Sequence, residues 1–417
     1  MVTFLAVGSR GDVEPMAVLA GAVAATGRAT TVVAVDEYRD LVESHGAGFR
    51  GIGPGLAEVN RLGAGWIGRL AYRTPLAQPV LLARWLRGLA EPLADALDEV
   101  PAASMVVTGV ASRDAALALV EARGCRMATV LHTAVLPTTQ RVSHLEGHQF
   151  RGTPAMIRAF TRWYWNQVAS LSRQTSAAFR RRAGLRRPRG ARPVEEADRH
   201  PVWLAADPVL IPSAADWPAT VRQTGAIRPT GRPVWSPPEP LRGFLDDGPP
   251  PVYVGLGSLN DSGGTGWLDL IRRAARASGR RVLTPAPPGE AAGVVDDLVC
   301  TVGDLPHDQL FGTLAGVVHH GGAGSTAAAL RAGVPSVAAP AVFDQYYHGR
   351  RLAELGVGPR PVPLHRLDAA RLAGLLDAVA SDVHRDRAAQ VGERARAVDG
   401  TAATLAELGQ FSSIQDA

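Results

Sequence analysis

The stretch VVHHGGAGSTAAALRAGVPSVAA at residues 317–339 decides the fold class. Its first apolar run predicts a buried strand, and the glycine-rich turn that follows ends that strand. The alanine-rich segment up to Gly333 predicts a helix, and a second apolar run begins at Ser336. Strand, turn, helix and strand with fully apolar strands are typical of a parallel sheet covered by helices on both faces. The stretch therefore predicts an α/β fold.

The same pattern recurs along the whole chain. The opening VTFLAVGSRGDVEP predicts a strand, a glycine turn and a helix over residues 17–26, with Pro15 near its first turn. Further helices are predicted at residues 267–277 and 402–408, and further strands at residues 30–35, 104–107, 127–131, 209–211, 252–256, 281–283, 298–302, 317–319 and 336–339. The chain thus predicts two doubly wound, Rossmann-like domains.

A change in composition separates the two predicted domains. Residues 228–250 are rich in proline, which is typical of a linker. A chain of 417 residues also exceeds the roughly 250–300 residues at which one hydrophobic core stops growing. We therefore expect a first domain at residues 1–227, a linker at 228–250 and a second domain at 251–417, with a cleft between the domains.

Composition excludes several classes of protein. A hydrophobic content of 46% with 20% charged residues is typical of a globular chain, and no apolar run is long enough to predict a transmembrane segment. Residues 1–7 lack the basic flank and cleavage site of a secretory signal, and the two cysteines, Cys125 and Cys300, lie far apart. We therefore expect a cytoplasmic protein without a disulfide framework.

The net charge of +5 does not predict a nucleic-acid partner, because the chain has no lysine and its arginines are dispersed. One local run of arginines lies at residues 180–192. It predicts a solvated loop, with contact to anionic lipid or an acidic substrate as the alternative.

Ligands of open α/β sheets bind at the carboxyl ends of strands, where three glycine-rich turns fall. In HHGGAGST at residues 319–326, small residues let phosphate oxygens approach the N–H groups of a helix N-terminus, and His320 could donate a ring N–H to a diphosphate. VGLGSLND at residues 254–261 also suits phosphate. VGSRGDVEP at residues 7–15 carries Asp12 near a helix start, where the carboxylate is either a residue of the site or a helix cap.

Other candidate residues lie outside the glycine turns. Asp344 and Gln345 follow the last predicted strand and suit hydrogen bonds to sugar hydroxyls, with an Asx-type turn as the alternative. The helical segments at residues 60–97 and 154–179 are dense in aromatic residues, which either line an apolar cleft or pack helices onto the sheet. HLEGH at residues 144–148 does not match H-E-x-x-H, so no metal site is predicted.

Four segments together resemble the nucleotide-sugar-dependent glycosyltransferases of the two-domain GT-B fold. The resemblance is to the branch of family 1 that tailors glycopeptide, angucycline and related antibiotics, and the sterol glucosyltransferases are similar too. The segments are GSRGDVEP at residues 8–15, HPVWLAADPVL at 200–210, GPPPVYVGLGSL at 248–259, and VVHHGGAGSTAAALRAGVPSVAAPAVFDQYYHGRRLAELGVG at 317–358. Tyr346 stands where these enzymes usually have proline.

The resemblance implies that the second domain binds the donor, a UDP- or dTDP-hexose. The loop GDLPHDQLF at residues 303–311 would place Leu305 and His307 near the nucleobase, and Asp344 with Gln345 would contact the sugar. We assign the diphosphate to a larger set: Ser9, Gly257, Ser258, His319, His320, Gly322, Ala323, Gly324 and Ser325.

The resemblance also implies that the first domain holds the acceptor and that Asp12 is the general base, with His320 meeting the charge of the leaving group. The expected reaction is an inverting single displacement that needs no metal and no cofactor, since the nucleotide sugar is a co-substrate. We expect a flat, apolar natural product, a secondary metabolite, as acceptor, held by Trp66, His132 and Trp163. His132 is the rival base, and a sterol or lipid is the alternative acceptor.

Three other functions share this architecture. A nucleotide-sugar epimerase would need no acceptor cleft, and a dinucleotide oxidoreductase would need the G-x-G-x-x-G turn that the chain lacks. A non-catalytic accessory homologue of a glycosyltransferase would not need Asp12, His320, Asp344 and Gln345. The sequence specifies no oligomeric state.

Overall fold

A computed structural model describes residues 1–55, 78–140, 152–186, 199–229, 234–256, 266–287 and 289–413. Within these ranges the chain forms two sheets flanked by helices, and the α/β class predicted from the sequence is confirmed. The first sheet contains strands up to Gln223 and the second begins at Val252.

The first sheet is parallel throughout and has the order β3-β2-β1-β4-β5-β6-β7. Its strands are β1 (Val2–Leu5), β2 (Thr30–Ala34), β3 (Gly48–Gly51), β4 (Met105–Thr108), β5 (Arg126–Leu131), β6 (Val202–Leu204) and β7 (Val221–Gln223). The helices of this half are α1 (Arg10–Ala24), α2 (Arg39–Ser44), α3 (Gln78–Gly88), α4 (Ala90–Asp98), α5 (Arg113–Arg123) and α6 (Pro154–Arg182).

The second sheet has the order β10-β11-β9-β8-β12-β13, with only β10 antiparallel to its neighbour. Its strands are β8 (Val252–Gly255), β9 (Val282–Pro285), β10 (Gly293–Val294), β11 (Val299–Val302), β12 (Gly316–His319) and β13 (Ser336–Ala338). The helices are α7 (Leu241–Asp246), α8 (Gly266–Ser278), α9 (His307–Leu310), α10 (Ala323–Ala332), α11 (Gln345–Glu354), α12 (Ala369–Ala380), α13 (Arg385–Arg396) and α14 (Gly400–Ser413).

Strand β1 shows why the strands are apolar on both faces. Phe4 belongs to one hydrophobic core and its neighbour Leu5 to another, because successive side chains of a strand point to opposite sides of the sheet. Both side chains are completely buried. Helices therefore cover both faces of the first sheet, as the doubly wound pattern predicts.

One predicted strand is wrong. Residues 209–211 form a turn instead, because the N–H groups of Leu210 and Ile211 both donate to the carbonyl of Asp207. The strand of this region is β6, which lies a few residues earlier. The edge strands β3 and β7 were not predicted, since glycine, arginine and glutamine interrupt their apolar pattern and neither has a fully buried residue.

The chain crosses between its two halves twice. After the first crossing it builds the second sheet, and then α14 returns to the first half, where Leu408 joins the core that contains Phe4. The guanidinium of Arg126 also lies 4.1 Å from the ring centroid of Phe411. The domain boundaries at residues 227 and 251 remain a prediction. That prediction did not include the packing of α14 on the first sheet.

The described arginines of the run at residues 180–192 mostly pair with acids of the same half. Arg180 contacts Asp114 at 3.1 Å, and Arg182 contacts Asp95 at 2.7 Å. Arg180, Arg181 and Arg182 end α6, so the predicted solvated loop is wrong for them, and Arg180 is buried; residues 187–198 lie outside the described ranges. No helix in the described part of the chain is long and apolar enough to cross a membrane.

Candidate active site

A cleft of about 3090 Å³ is lined by both halves of the molecule. The carboxyl ends of β1 and β5 face it from the first half, and the turns after β12 and β13 face it from the second. Thirteen residues that the sequence proposed lie on it: Ser9, Asp12, His132, Trp163, Leu305, His307, His320, Gly322, Ala323, Gly324, Ser325, Asp344 and Gln345. Trp66, Gly257 and Ser258 lie outside the described residues, as does the HLEGH segment.

The turn after β1 fixes Asp12 at the start of α1. Oδ2 of Asp12 accepts hydrogen bonds from the N–H of Ser9 at 2.8 Å and from its hydroxyl at 2.9 Å. A Cβ atom at Gly8 would lie 2.2 Å from the same oxygen, so only glycine leaves room for the carboxylate. The capping role considered for Asp12 is therefore present, and the half-buried carboxylate also lies on the cleft.

His132 follows β5 and lies in the electrostatic neighbourhood of two carboxylates. Burial lowers the pKa of His132, and the charges of Asp12 and Asp344 oppose that shift. Among the described residues Nε2 of His132 has no hydrogen-bond partner. The imidazole is therefore neutral near pH 7, and it interacts electrostatically with the carboxylates of Asp12 and Asp344.

The turn after β12 presents His320 and the first residues of α10. A Cβ atom at Gly322 would lie 2.2 Å from Nε2 of His320, so the imidazole packs directly on this glycine. Gly322 is also the N-cap of α10 and offers no side chain to cap it. The N-terminal amides of the helix thus face the cleft without a capping side chain, which is the arrangement that binds anions.

Burial lowers the pKa of His320 from 6.5 to about 4. The ring is therefore a neutral imidazole near pH 7 rather than a cation, with one nitrogen that carries a proton.

His319 does not lie on the cleft, which corrects its assignment to the diphosphate. Its side chain is completely buried, and Nδ1 accepts a hydrogen bond from the N–H of Gly321 at 3.0 Å. Strand alternation explains the difference, because neighbouring residues at the end of β12 point to opposite sides. His319 shapes the turn from beneath while His320 faces the ligand side.

Asp344 and Gln345 start α11 and follow a strained residue. Phe343 has φ of +45°, a left-handed conformation that bulky side chains rarely adopt. Oε1 of Gln345 accepts from the N–H groups of Ala341 at 2.9 Å and Val342 at 3.1 Å, so its side chain stabilises the local turn, the kind of role considered as the alternative for this pair, and it also lines the cleft. Burial raises the pKa of Asp344; the charge of His348 opposes this rise and that of Asp12 adds to it.

His307, which the resemblance places near the nucleobase, lines the cleft, and two buried rings that do not line it pack behind it. His307 stacks on Phe311 with centroids 4.5 Å apart, and Nε2 of His307 lies 3.3 Å from the hydroxyl of Tyr253. Burial lowers the pKa of His307 and raises that of Tyr253. Sequence reasoning did not foresee that Tyr253, on β8, supports His307 from within the core.

Among the described residues, two ion pairs join the halves across the cleft, and sequence reasoning missed both. Arg10 contacts Asp304 at 2.7 Å between exposed side chains. Arg331 contacts Asp207 at 3.1 Å, and Asp207 is completely buried. Both pairs join residues more than a hundred positions apart, and no local pattern links such residues.

The first half adds an aromatic wall on α6. Trp163 is 54% exposed although it is a large hydrophobic residue, and it stacks on Phe160 with ring centroids 5.9 Å apart. Trp163 and Tyr164 both line the cleft. Trp163 therefore lines the cleft and does not only pack its helix onto the sheet.

No group of three or more His, Cys, Asp or Glu side chains in the described ranges is arranged to hold a metal ion. The arrangement of groups on the cleft combines a carboxylate, a neutral imidazole beside free helix amides, and a carboxylate with an amide. The first carboxylate can accept a proton, the imidazole and the helix amides can bind a diphosphate, and the second carboxylate with its amide can hydrogen-bond sugar hydroxyls.

Solved structures define the class of fold. The chain superimposes on the glycosyltransferase of kitacinnamycin with a TM-score of 0.68 and 19% identity, over 98% of each chain. It superimposes on the glycosyltransferase VinC, solved in complex with dTDP, with a TM-score of 0.64 and 17% identity, over 99% of each chain. These similarities establish the GT-B fold of two Rossmann-like domains.

Sequence relatives define the family. The chain is 33% identical over 415 residues to the vancomycin aglycone glucosyltransferase of Amycolatopsis orientalis, covering 95% of this chain and 92% of that one. Sterol 3-beta-glucosyltransferase of Emericella nidulans is 28% identical over 97% of this chain but only 29% of its own. Residues 270–405 match the family described as erythromycin biosynthesis protein CIII-like, C-terminal domain. The chain belongs to the family 1 glycosyltransferases, in the antibiotic-tailoring branch, and is a glycosyltransferase.

Proposed function

We propose that this glycosyltransferase moves a hexose from a UDP- or dTDP-sugar to a natural-product acceptor, with inversion at the anomeric carbon. The observation that carries the proposal is the meeting of Asp12, the turn at His320, and Asp344 with Gln345 on one cleft. The first belongs to the first half of the molecule and the others to the second. An acceptor and a donor bound to opposite halves would therefore meet between them.

The diphosphate lies, in this proposal, at the N-terminus of α10. Backbone N–H groups there combine with the helix dipole to favour negative charge, and His320 adds a neutral N–H donor. Ser325 adds a hydroxyl on the same side. These groups stabilise the charge that develops on the leaving diphosphate without any need for a metal ion.

Asp12 acts as the general base. As the acceptor atom attacks the anomeric carbon, the carboxylate takes its proton, the bond from that carbon to the β-phosphate oxygen breaks, and the nucleoside diphosphate leaves with the electron pair. The hydrogen bonds from Ser9 keep the carboxylate in one orientation, which supports this role. Attack from the side opposite the leaving group gives inversion.

The acceptor binds along the wall that contains Trp163. A half-exposed indole beside other aromatic side chains suits a flat, apolar molecule, because aromatic faces stack on one another. The dTDP-epi-vancosaminyltransferase of Amycolatopsis orientalis, 41% identical over 39% of this chain, supports a dTDP-sugar as donor. The sterol glucosyltransferase relatives support a sterol as the alternative acceptor.

A transfer assay tests the proposal. The purified protein is incubated with UDP-glucose or dTDP-glucose, each with glycopeptide aglycones, aromatic polyketides and sterols, in buffer with and without EDTA. We expect a glycosylated product with some acceptor of the first two classes, a β-configured anomeric centre by NMR, and equal rates with and without EDTA. Retention of configuration would contradict the displacement, and a large loss with EDTA would contradict metal independence.

Two other outcomes identify the alternatives. Transfer to sterols alone would make the protein a sterol glucosyltransferase. Binding of nucleotide sugar without transfer to any acceptor, together with stimulation of another transferase, would identify a non-catalytic accessory protein.

A further inference from the structure

Buried histidines hydrogen-bond both the N–H and the carbonyl of Gly321. Its N–H donates to Nδ1 of His319 at 3.0 Å, and its carbonyl accepts from Nδ1 of His348 at 2.8 Å. Both imidazoles are completely buried. Gly321 itself has φ of +88°, a conformation that favours glycine, and it immediately precedes the residues that cap α10. The histidines therefore orient the backbone at the start of α10 and, with it, the N–H groups of the first turn.

His348 belongs to the segment that carries the proposed sugar-contacting residues. Its own N–H donates to the carbonyl of Asp344 at 2.9 Å, in the first turn of α11. That segment also touches the diphosphate turn directly, because a Cβ at Gly321 would lie 2.8 Å from the carbonyl oxygen of Gln345 and 3.1 Å from its Cα. His348 thus forms a hydrogen bond between two loops that are already in backbone contact.

We propose that His348 is a positioning residue for the donor, an inference that rests on the proposed function. Its hydrogen bond to Gly321 holds the diphosphate turn and the loop of Asp344 and Gln345 at a fixed separation. A nucleoside diphosphate needs only the first of these loops. An intact nucleotide sugar must contact both at once, so its binding depends on their separation.

Loss of the hydrogen bond has two consequences. The buried carbonyl of Gly321 is left without a partner, and such a group is costly, so the peptide turns to find one. The amides of α10 then shift relative to Asp344. Binding of the intact donor weakens more than binding of the nucleoside diphosphate alone.

The test compares variants that separate the hydrogen bond from packing. His348→Leu keeps an apolar side chain of considerable volume but removes the donor, and His348→Asn can return an N–H near the position of Nδ1. The matched control is His384→Leu, because Nδ1 of His384 also donates to a glycine carbonyl, that of Gly356 at 3.0 Å, and His384 does not line the cleft. Thermal unfolding and circular dichroism establish that each variant is folded.

Calorimetric titration measures Kd for dTDP and dTDP-glucose, and for UDP and UDP-glucose, with the wild-type protein and each variant. We expect His348→Leu to weaken binding of the nucleotide sugar by about tenfold and binding of the nucleoside diphosphate by less than about threefold. His348→Asn should restore most of the loss. His384→Leu should change neither constant.

Equal weakening of both ligands by His348→Leu, or no weakening of either, would overturn the proposal, since a purely structural role predicts no change in their ratio. If His348→Leu does not fold, His348→Met provides the same comparison, because it also removes the donor while filling the buried site. A wild-type protein that binds none of the four ligands would refute the proposed function instead, so the two failures are distinguishable.

Discussion

The turn after β1 and the turn after β12 use the same device and leave different groups free. In each, a glycine makes room for a functional side chain: a Cβ at Gly8 would lie 2.2 Å from Oδ2 of Asp12, and a Cβ at Gly322 would lie 2.2 Å from Nε2 of His320. In the first turn the carboxylate accepts the N–H and the hydroxyl of Ser9. In the second, the N-cap glycine leaves the helix N-terminus without a capping side chain.

The difference shows how one local architecture serves two ligands. A helix N-terminus that is capped by its own carboxylate repels a further anion and holds a proton acceptor in place. A helix N-terminus without a capping side chain binds an anion by its backbone. In the proposed function, the first therefore deprotonates the acceptor and the second holds the diphosphate of the donor.

The largest effect is expected from Asp12→Asn. Asparagine keeps an oxygen that can accept from Ser9, so the turn should stay folded, but it cannot take a proton. We expect kcat to fall by about 10²–10⁴-fold, with Kd for dTDP changed by less than about twofold. The control is Glu14→Gln, which removes another carboxylate of α1 that lines the cleft. Unchanged turnover in Asp12→Asn would remove Asp12 as the base and favour His132.

The second turn is tested by Gly322→Ala. The new Cβ meets the imidazole of His320, so either the ring moves or the turn opens, at a cost of about 1–3 kcal/mol. If that cost falls on the bound state, Kd for dTDP rises roughly 5- to 150-fold. Gly374→Ala on α12 is the matched control, since its Cβ would meet nothing within 4 Å. Equal affinities in both variants would contradict the placement of the diphosphate.

The aromatic wall sharpens the comparison between the two halves. Trp163→Ala should raise KM for an apolar acceptor by roughly 2- to 12-fold, because aromatic stacking contributes about 0.5–1.5 kcal/mol. Kd for dTDP should not change, since the wall belongs to the first half. Met156→Ala is the control, because Met156 is 51% exposed on the same helix but does not line the cleft. A KM that both variants raise equally would refute a specific acceptor contact.

The smallest effect concerns pH. Since the pKa of His320 is about 4 in the folded protein and 6.5 when unperturbed, the unfolded chain binds more protons between these values. The contribution of His320 to stability is therefore complete above pH 6.5 and is lost as pH falls toward 4. The free energy of unfolding should therefore fall less steeply with pH in His320→Asn than in the wild-type protein over that window. The difference in slope corresponds to at most about one bound proton. Urea unfolding at several pH values measures it, and an unchanged slope would contradict a buried neutral ring.

Local sequence predicted the parts of the fold whose cause is local. The run of strand, glycine turn and helix at residues 317–332 is present as β12 and α10, because apolar strands and small residues specify both elements without distant contacts. The helix predicted at residues 267–277 is found at Gly266–Ser278. The apolar residues 209–211 were misread because hydrophobicity alone does not separate a buried turn from a strand.

The candidate site was predictable where a residue follows a strand, and less so where partners are distant. Asp12, His320 and Asp344 were found from their positions after strands. The opposite directions of His319 and His320 required the register of β12, and the hydrogen bond from His348 to Gly321 required the packing of α11 on the turn. Neither pattern is visible in a single stretch of sequence.

The two places where the chain crosses between its halves lie side by side. A Cβ at Gly400 would be 2.4 Å from the carbonyl oxygen of Gly225, and the hydroxyl of Thr401 both accepts from the N–H of Arg228, at 3.0 Å, and donates to its carbonyl, at 2.7 Å. The two crossings therefore form one joint between the halves of the molecule. A side chain at Gly225 or Gly400 would meet the other crossing and push the two apart.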